Sequence, residues 1–234
     1  MGSRKWSKKI DTDPRSFRRP RGSKPPAKAI LIVTEGEVTE PVYFDAVKRK
    51  LILPTVEIEV VGSGKGDPRR LAESAVKQRK ERRKNARKGT LALSEASDFD
   101  ELWIVFDTEM PVAQGRYHDG VAFAAAKGVK VAESTPCFEF WLLLHLDYTT
   151  APMATFADVK PKLERALDCA YAKDARDSAA LIPPLLAELK TACVRAEKIR
   201  IHHDEARTPK PANPSTEVDK LIAAIEAAAS PANA

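Results

Sequence analysis

From residue 29 onward the chain alternates short apolar runs with amphipathic stretches. Residues 29–33 (AILIV) form a continuous apolar run, as suits a strand buried on both faces. Over residues 39–51, Val42, Tyr43, Ala46 and Val47 recur at three- and four-residue spacing and predict a helix. Pro41 falls in its first turn, where a missing N–H costs nothing. Residues 56–61 predict a second strand, and Gly62-Ser63-Gly64-Lys65-Gly66-Asp67 lead to Pro68, which opens a helix carrying Leu71, Ala72, Ala75 and Val76. A third strand is predicted over 102–106 (LWIVF), a short helix over 120–127, a fourth strand over 129–132 and an apolar helix over 138–145. Strands and helices alternating at this spacing predict an α/β fold: a mainly parallel four-stranded sheet flanked by helices. After Asp147 strand signals fade, and helical patterns cover roughly 158–173, 183–203 and 215–229. Asn213-Pro214-Ser215-Thr216 reads as the cap of the last helix. The expected organisation is a tail over 1–28, an α/β core over 29–150, and a helical C-terminal extension over 151–234 that packs on the core.

Charge changes this picture. The 234 residues carry a net charge of +6, unevenly placed. Residues 1–28 hold ten basic and two acidic side chains, with four prolines and few apolar groups, which predicts a disordered basic tail. Residues 77–88 (KQRKERRKNARK) hold eight basic and one acidic, leaving 21 basic against 30 acidic elsewhere. The chain is therefore an acidic body with two basic appendages. Lys77, Arg79, Lys80, Arg82, Arg83, Lys84, Arg87 and Lys88 suit a phosphate-binding arm, since such contacts give sequence-independent affinity through counterion release. Three cysteines without C-x-x-C spacing argue against a disulfide framework and against a cysteine-rich zinc site. No run approaches the ~18 apolar residues of a membrane span, and no apolar segment follows the basic N-terminus. A cytoplasmic protein without a membrane partner is expected.

Ligands of open α/β sheets collect outside the carboxyl ends of the strands. Thr34-Glu35-Gly36-Glu37 follow the first strand, Asp107-Thr108-Glu109 the third, and Glu133-Ser134-Thr135 the fourth. In an extended chain, Asp107 and Glu109 point the same way. Helix macrodipoles account for single carboxylates here. Three acidic positions at one edge favour a divalent-metal site, because carboxylate oxygens suit a hard cation such as Mg²⁺. Glu139, set among Phe138, Phe140 and Trp141, needs a metal or a basic side chain as partner if buried. Glu40 reads equally well as a helix cap. His145 reads as a core histidine, and Cys137 as a small buried residue without an evident activator. The glycine-rich turn at 62–66 fails the P-loop pattern: Glu59 stands where its first Gly belongs, and Gly66 where Ser or Thr belongs. Lys65 in this turn remains a candidate backbone-phosphate contact.

Four segments together resemble the RloB-like proteins, which carry a Toprim-type catalytic domain. They are ILIVTEGEVTEPVYF at 30–44, VFDTE at 105–109, STPCFEFWLLLH at 134–145 and NPST at 213–216, in order along the chain. The resemblance implies a Toprim-like sheet with metal-dependent phosphodiester chemistry. It makes Glu35 the general acid/base and Asp107 with Glu109 the holders of Mg²⁺, or Mn²⁺ in its place; Glu35, Asp107 and Glu109 are thus the expected metal site. Glu139 is the supporting catalytic candidate. The family's acidic pair usually ends in Asp, and Glu109 departs from that. The resemblance also implies bacterial phage defence, an ATPase partner, and nucleic acid as substrate, with RNA such as tRNA favoured over DNA. The rival expectations are a non-catalytic nucleic-acid-binding or sensor subunit docking onto an ATPase, and phosphoryl chemistry on a nucleotide.

Overall fold

A computed structural model describes residues 28–51, 56–64, 66–92 and 95–229. The tail over 1–27 and Lys65 lie outside the described residues. Four parallel strands form the sheet: β1 (Lys28–Thr34), β2 (Val56–Gly62), β3 (Glu101–Asp107) and β4 (Val129–Thr135). A fifth, β5 (Ser215–Thr216), pairs antiparallel with β4 and completes the order β2-β1-β3-β4-β5. The four-stranded expectation is corrected by this two-residue strand. It is too short for periodicity to reveal, and side chains help to fix it, with Ser134 Oγ and Thr216 Oγ1 2.9 Å apart.

The unbroken apolar run of β1 feeds two cores. Ile30 and Ile32 face one side, and Ala29, Leu31 and Val33 the other, so alternation persists without a polar face. On the first side pack α1 (Thr39–Leu51) and α5 (Phe138–Leu146), with Tyr43, Phe44 and Trp141 fully buried. On the second pack α2 (Pro68–Lys88) and α4 (Tyr117–Ala126), through Leu71, Ala72, Ala75 and Tyr117. Between β3 and α4 lies a short helix, α3 (Glu109–Ala113). Asp67 caps α2 by accepting from the N–H groups of Arg69 and Arg70, Pro68 opens it, and Gly89 ends it at φ 68°.

Helix α5 is apolar around its circumference because it lies between the sheet and the C-terminal helices α6 (Phe156–Leu167) and α8 (Leu189–Glu205). The larger core therefore runs from the sheet through α5 into the C-terminal part of the chain. His145 belongs to it: Nδ1 contacts the Trp141 carbonyl at 3.0 Å and Nε2 the Tyr43 hydroxyl at 3.2 Å. Burial pushes its pKa down to about 4, so it is neutral near pH 7.

The C-terminal helices differ from the sequence expectation in their breaks. α6 stops at Asp168, which takes φ 55°, so the helix expected to 173 ends a turn and a half early. The stretch expected as one helix over 183–203 is the end of α7 (Ala175–Leu185), a 3₁₀ turn at Leu186–Glu188, and α8. Pro183 and Pro184 lie in the last turn of α7, where they remove two backbone donors just before that break. The last helix, α9 (Val218–Ala229), begins after β5, where Thr216 Oγ1 accepts the Val218 N–H. No helix among the described residues is long and apolar enough to cross a membrane.

Candidate metal centre

The carboxyl ends of β1, β2, β3 and β4 lie at one edge of the sheet, since Thr34 pairs with Gly62 and Val105, and Asp107 with Ser134. Along this edge runs an open cleft of about 420 Å³, whose lining includes Glu35, Glu40, Asp107, Glu139 and Lys173. Asp107 is the last residue of β3, and its Oδ1 accepts the N–H of Phe138, the first residue of α5, at 2.8 Å. Glu139 follows one residue later, 1% exposed, and its Oε1 accepts from the Tyr171 hydroxyl at 3.3 Å. Ligand atoms of Asp107, Glu139 and Cys137 lie within 4.8 Å of one another.

Glu35 flanks this group, with Oε2 accepting the Asp107 N–H at 2.9 Å. Two glycines make room for the carboxylates. A Cβ on Gly66 would stand 2.6 Å from Glu35 Oε1, and one on Gly36 would collide with the Glu40 carboxylate. Glu40, in the first turn of α1, accepts the N–H of Gly36, three residues before the helix, at 3.0 Å, and its charge reaches the cluster.

The electrostatics follow from this crowding. Burial, then Glu139 and Glu40, push the Asp107 carboxyl well above the ordinary range, against the pull of Lys173. Burial also raises Glu35, opposed by the Asp107 N–H and Lys173 and reinforced by Glu109. The Cys137 thiol is pushed up by burial and then by Glu139 and Asp107, so it stands in the cluster as a neutral thiol. Oxygen donors at this density suit a hard divalent cation, whereas the thiol does not.

Lys173 escaped the sequence reading. It lies 34 residues beyond Glu139 in the α6–α7 loop, and its Nζ is 2.8 Å from Glu139 Oε2 and 4.0 Å from Asp107 Oδ2. The one available signal was that a buried Glu139 requires a partner. Glu109 goes elsewhere than an extended chain predicts. It opens α3, and its Oε2 accepts the N–H of Phe156 at 3.3 Å.

A family model described as RloB-like protein matches residues 30–225. The chain belongs to the RloB-like family. No curated protein and no solved structure matches it. Within the RloB-like match, the C-terminal NPST segment does structural work. Asn213 accepts from the Met153 N–H at 3.0 Å and donates to the Met153 carbonyl at 2.7 Å, while Ser215 and Thr216 form β5.

The basic arm of this RloB-like chain starts away from the carboxylates. α2 begins at their edge and runs back along the sheet, placing Lys77 about 14 Å and Lys88 about 30 Å from its start. Lys77, Lys80, Lys84 and Lys88 share its exposed face, with Lys84 3.4 Å from Glu81; Arg87 is exposed and Arg79 half-buried. Arg83 pairs with Asp98. Arg82 is turned inward, buried against Glu57, Glu59 and the Ala96 carbonyl, so it does not join the exposed face. Lys28 opens β1 at the edge of the sheet opposite the cleft.

Glu133 does not follow β4 but lies inside it, because the strand runs on to Thr135. Both its oxygens are 2.7 Å from the Tyr117 hydroxyl, outside the carboxylate cluster. Burial raises its pKa from 4.5 to about 7. A carboxyl whose folded pKa is raised stabilises best while protonated, so stability falls as pH climbs from its unfolded value through about 7. Glu133→Gln keeps the Tyr117 acceptor and removes that loss. Thermal melts should show a gain on the order of 2 kcal/mol at pH 8 and none at pH 4.

Proposed function

We propose that this protein is a Toprim-like, magnesium-dependent nuclease that acts as an effector in bacterial phage defence, on RNA such as tRNA in preference to DNA. The observation that carries the reading is the convergence of Glu35, Asp107 and Glu139 in one open cleft at the carboxyl edge of the sheet. Asp107 and Glu139 are the residues that would hold the ion, with Glu35 beside them. A bound Mg²⁺ or Mn²⁺ supplies Lewis-acid stabilisation of charge on a phosphodiester and activation of water. Glu35, with a pKa above the ordinary glutamate value and its Oε2 tied to the Asp107 N–H, is the group that takes or gives a proton. The charge of Glu109 raises Glu35 further.

A lysine face lying about 14–30 Å along α2 favours a polymeric substrate over a nucleotide, since one nucleotide cannot engage both. The association with a partner ATPase rests on family membership alone. The experiment is cleavage of labelled tRNA and duplex DNA by purified protein, with and without Mg²⁺ or Mn²⁺. Metal-dependent cleavage by the wild type, absent from the Glu35→Ala/Asp107→Ala double variant, is expected. Cleavage that survives the double substitution contradicts the assigned chemistry. Binding of either nucleic acid with no cleavage under any metal condition favours the non-catalytic binding subunit.

A further inference from the structure

We propose that Lys173 is a resident counter-cation of the carboxylate cluster, competing directly with the divalent ion for Asp107 and Glu139. The inference rests on the metal-site reading above and assigns the residue that sets the affinity of that site.

Lys173 is held where it is. Its loop is fastened on one side by the Tyr171 N–H to Glu164 Oε1 at 2.9 Å, and on the other by the Ala172 N–H to Asp177 Oδ2 at 2.9 Å. The Tyr171 hydroxyl reaches the same Glu139 carboxylate from within the protein. The ammonium lies over the ring of Phe156, 4.2 Å from its centroid, which fixes its approach from a third direction. A lysine wandering on the surface would have none of these restraints.

Its position is that of a cation among anions. Glu139 Oε2 is buried and faces Nζ at 2.8 Å. Among the described residues lining the cleft, Lys173 is the one base, set against Glu35, Glu37, Glu40, Asp107 and Glu139. Among these described residues one ammonium faces five carboxyl groups. A divalent ion on Asp107 and Glu139 would meet that ammonium at close range, where like charges repel strongly. Metal entry therefore requires Lys173 to leave its contact with Glu139. Removing its charge makes the site bind metal more tightly, the opposite of what deleting an ordinary structural ion pair does to a site.

The test is Mn²⁺ titration of the full-length protein by electron paramagnetic resonance, comparing wild type with Lys173→Met and Lys173→Arg. Lys173→Met should bind Mn²⁺ at least ten-fold more tightly, and Lys173→Arg within about three-fold of wild type, because it keeps the charge. Lys173→Gln carries the same expectation as Lys173→Met, should the apolar side chain disturb the loop. Equal or weaker Mn²⁺ binding by the folded neutral variants, with measurable binding by wild type, overturns the role of Lys173 and leaves the metal site standing. Absence of Mn²⁺ binding in all the variants and in wild type overturns the metal site and this inference together.

Discussion

Asp107→Asn is expected to abolish metal-dependent cleavage while raising the melting temperature at pH 8. The two effects have one cause. Asp107 stands among Glu35, Glu40 and Glu139, and its ionised form is opposed by burial and by those charges. Asparagine keeps an oxygen for the Phe138 N–H, the contact that joins β3 to the start of α5. What it removes is the charge, which the fold holds at a cost and the chemistry requires. The pH sign follows. A carboxyl raised in the folded state is best accommodated when protonated, so its burden is absent at pH 4 and grows as pH rises. The gain in melting temperature should therefore be present at pH 8 and absent at pH 4. Cleavage should fall on the order of a thousandfold, as for other preorganised electrostatic groups at reacting centres. A variant that melts lower than wild type at pH 8 would make Asp107 a structural cap, with no functional tension stored in it.

Arg82→Leu is expected to produce the largest loss of stability, about 3 kcal/mol, or roughly 6–12 °C in melting temperature for a chain of this size. The guanidinium side chain is 6% exposed and meets Glu57 through Nη2 and Glu59 through Nη1 at 2.9 Å. Nε donates to the Ala96 carbonyl at 2.8 Å, and the group lies over Phe99, 4.4 Å from the ring centroid. Its removal strands the largely buried Glu57 without a counter-charge. The double variant Arg82→Leu/Glu57→Leu should recover part of the loss, which a double-mutant cycle of denaturant melts will measure. Nucleic-acid affinity per folded molecule should stay unchanged. A normal melt with weakened binding would return Arg82 to the phosphate-binding face.

Arg82 also shows what the sequence held and how it was obscured. Leu71, Ala75 and Arg82 are spaced by four and seven residues, so the helical period already put the arginine on the buried face. A run of eight basic residues hid it. Strands β1 and β3 were legible because residues buried on both faces leave continuous apolar runs, and of all four parallel strands only the ends moved. Those ends mattered for the site. Extending β4 to Thr135 took Glu133 out of the cluster, and the start of α3 at Glu109 ended the extended geometry that would have aligned its side chain with Asp107. Asp107, Glu35 and Glu139 could be found because strand ends and an acidic residue in an aromatic helix are local signals. Lys173 could not, since it reaches Glu139 through tertiary folding of a loop with no pattern of its own.

The most direct measurement is the location of Mn²⁺ by anomalous scattering in crystals grown with the ion. An anomalous peak coordinated directly by Asp107 and Glu139 is expected, with the Lys173 ammonium displaced from Glu139. Saturating Mn²⁺ that leaves no peak in the cleft, with Lys173 still paired to Glu139, would contradict it.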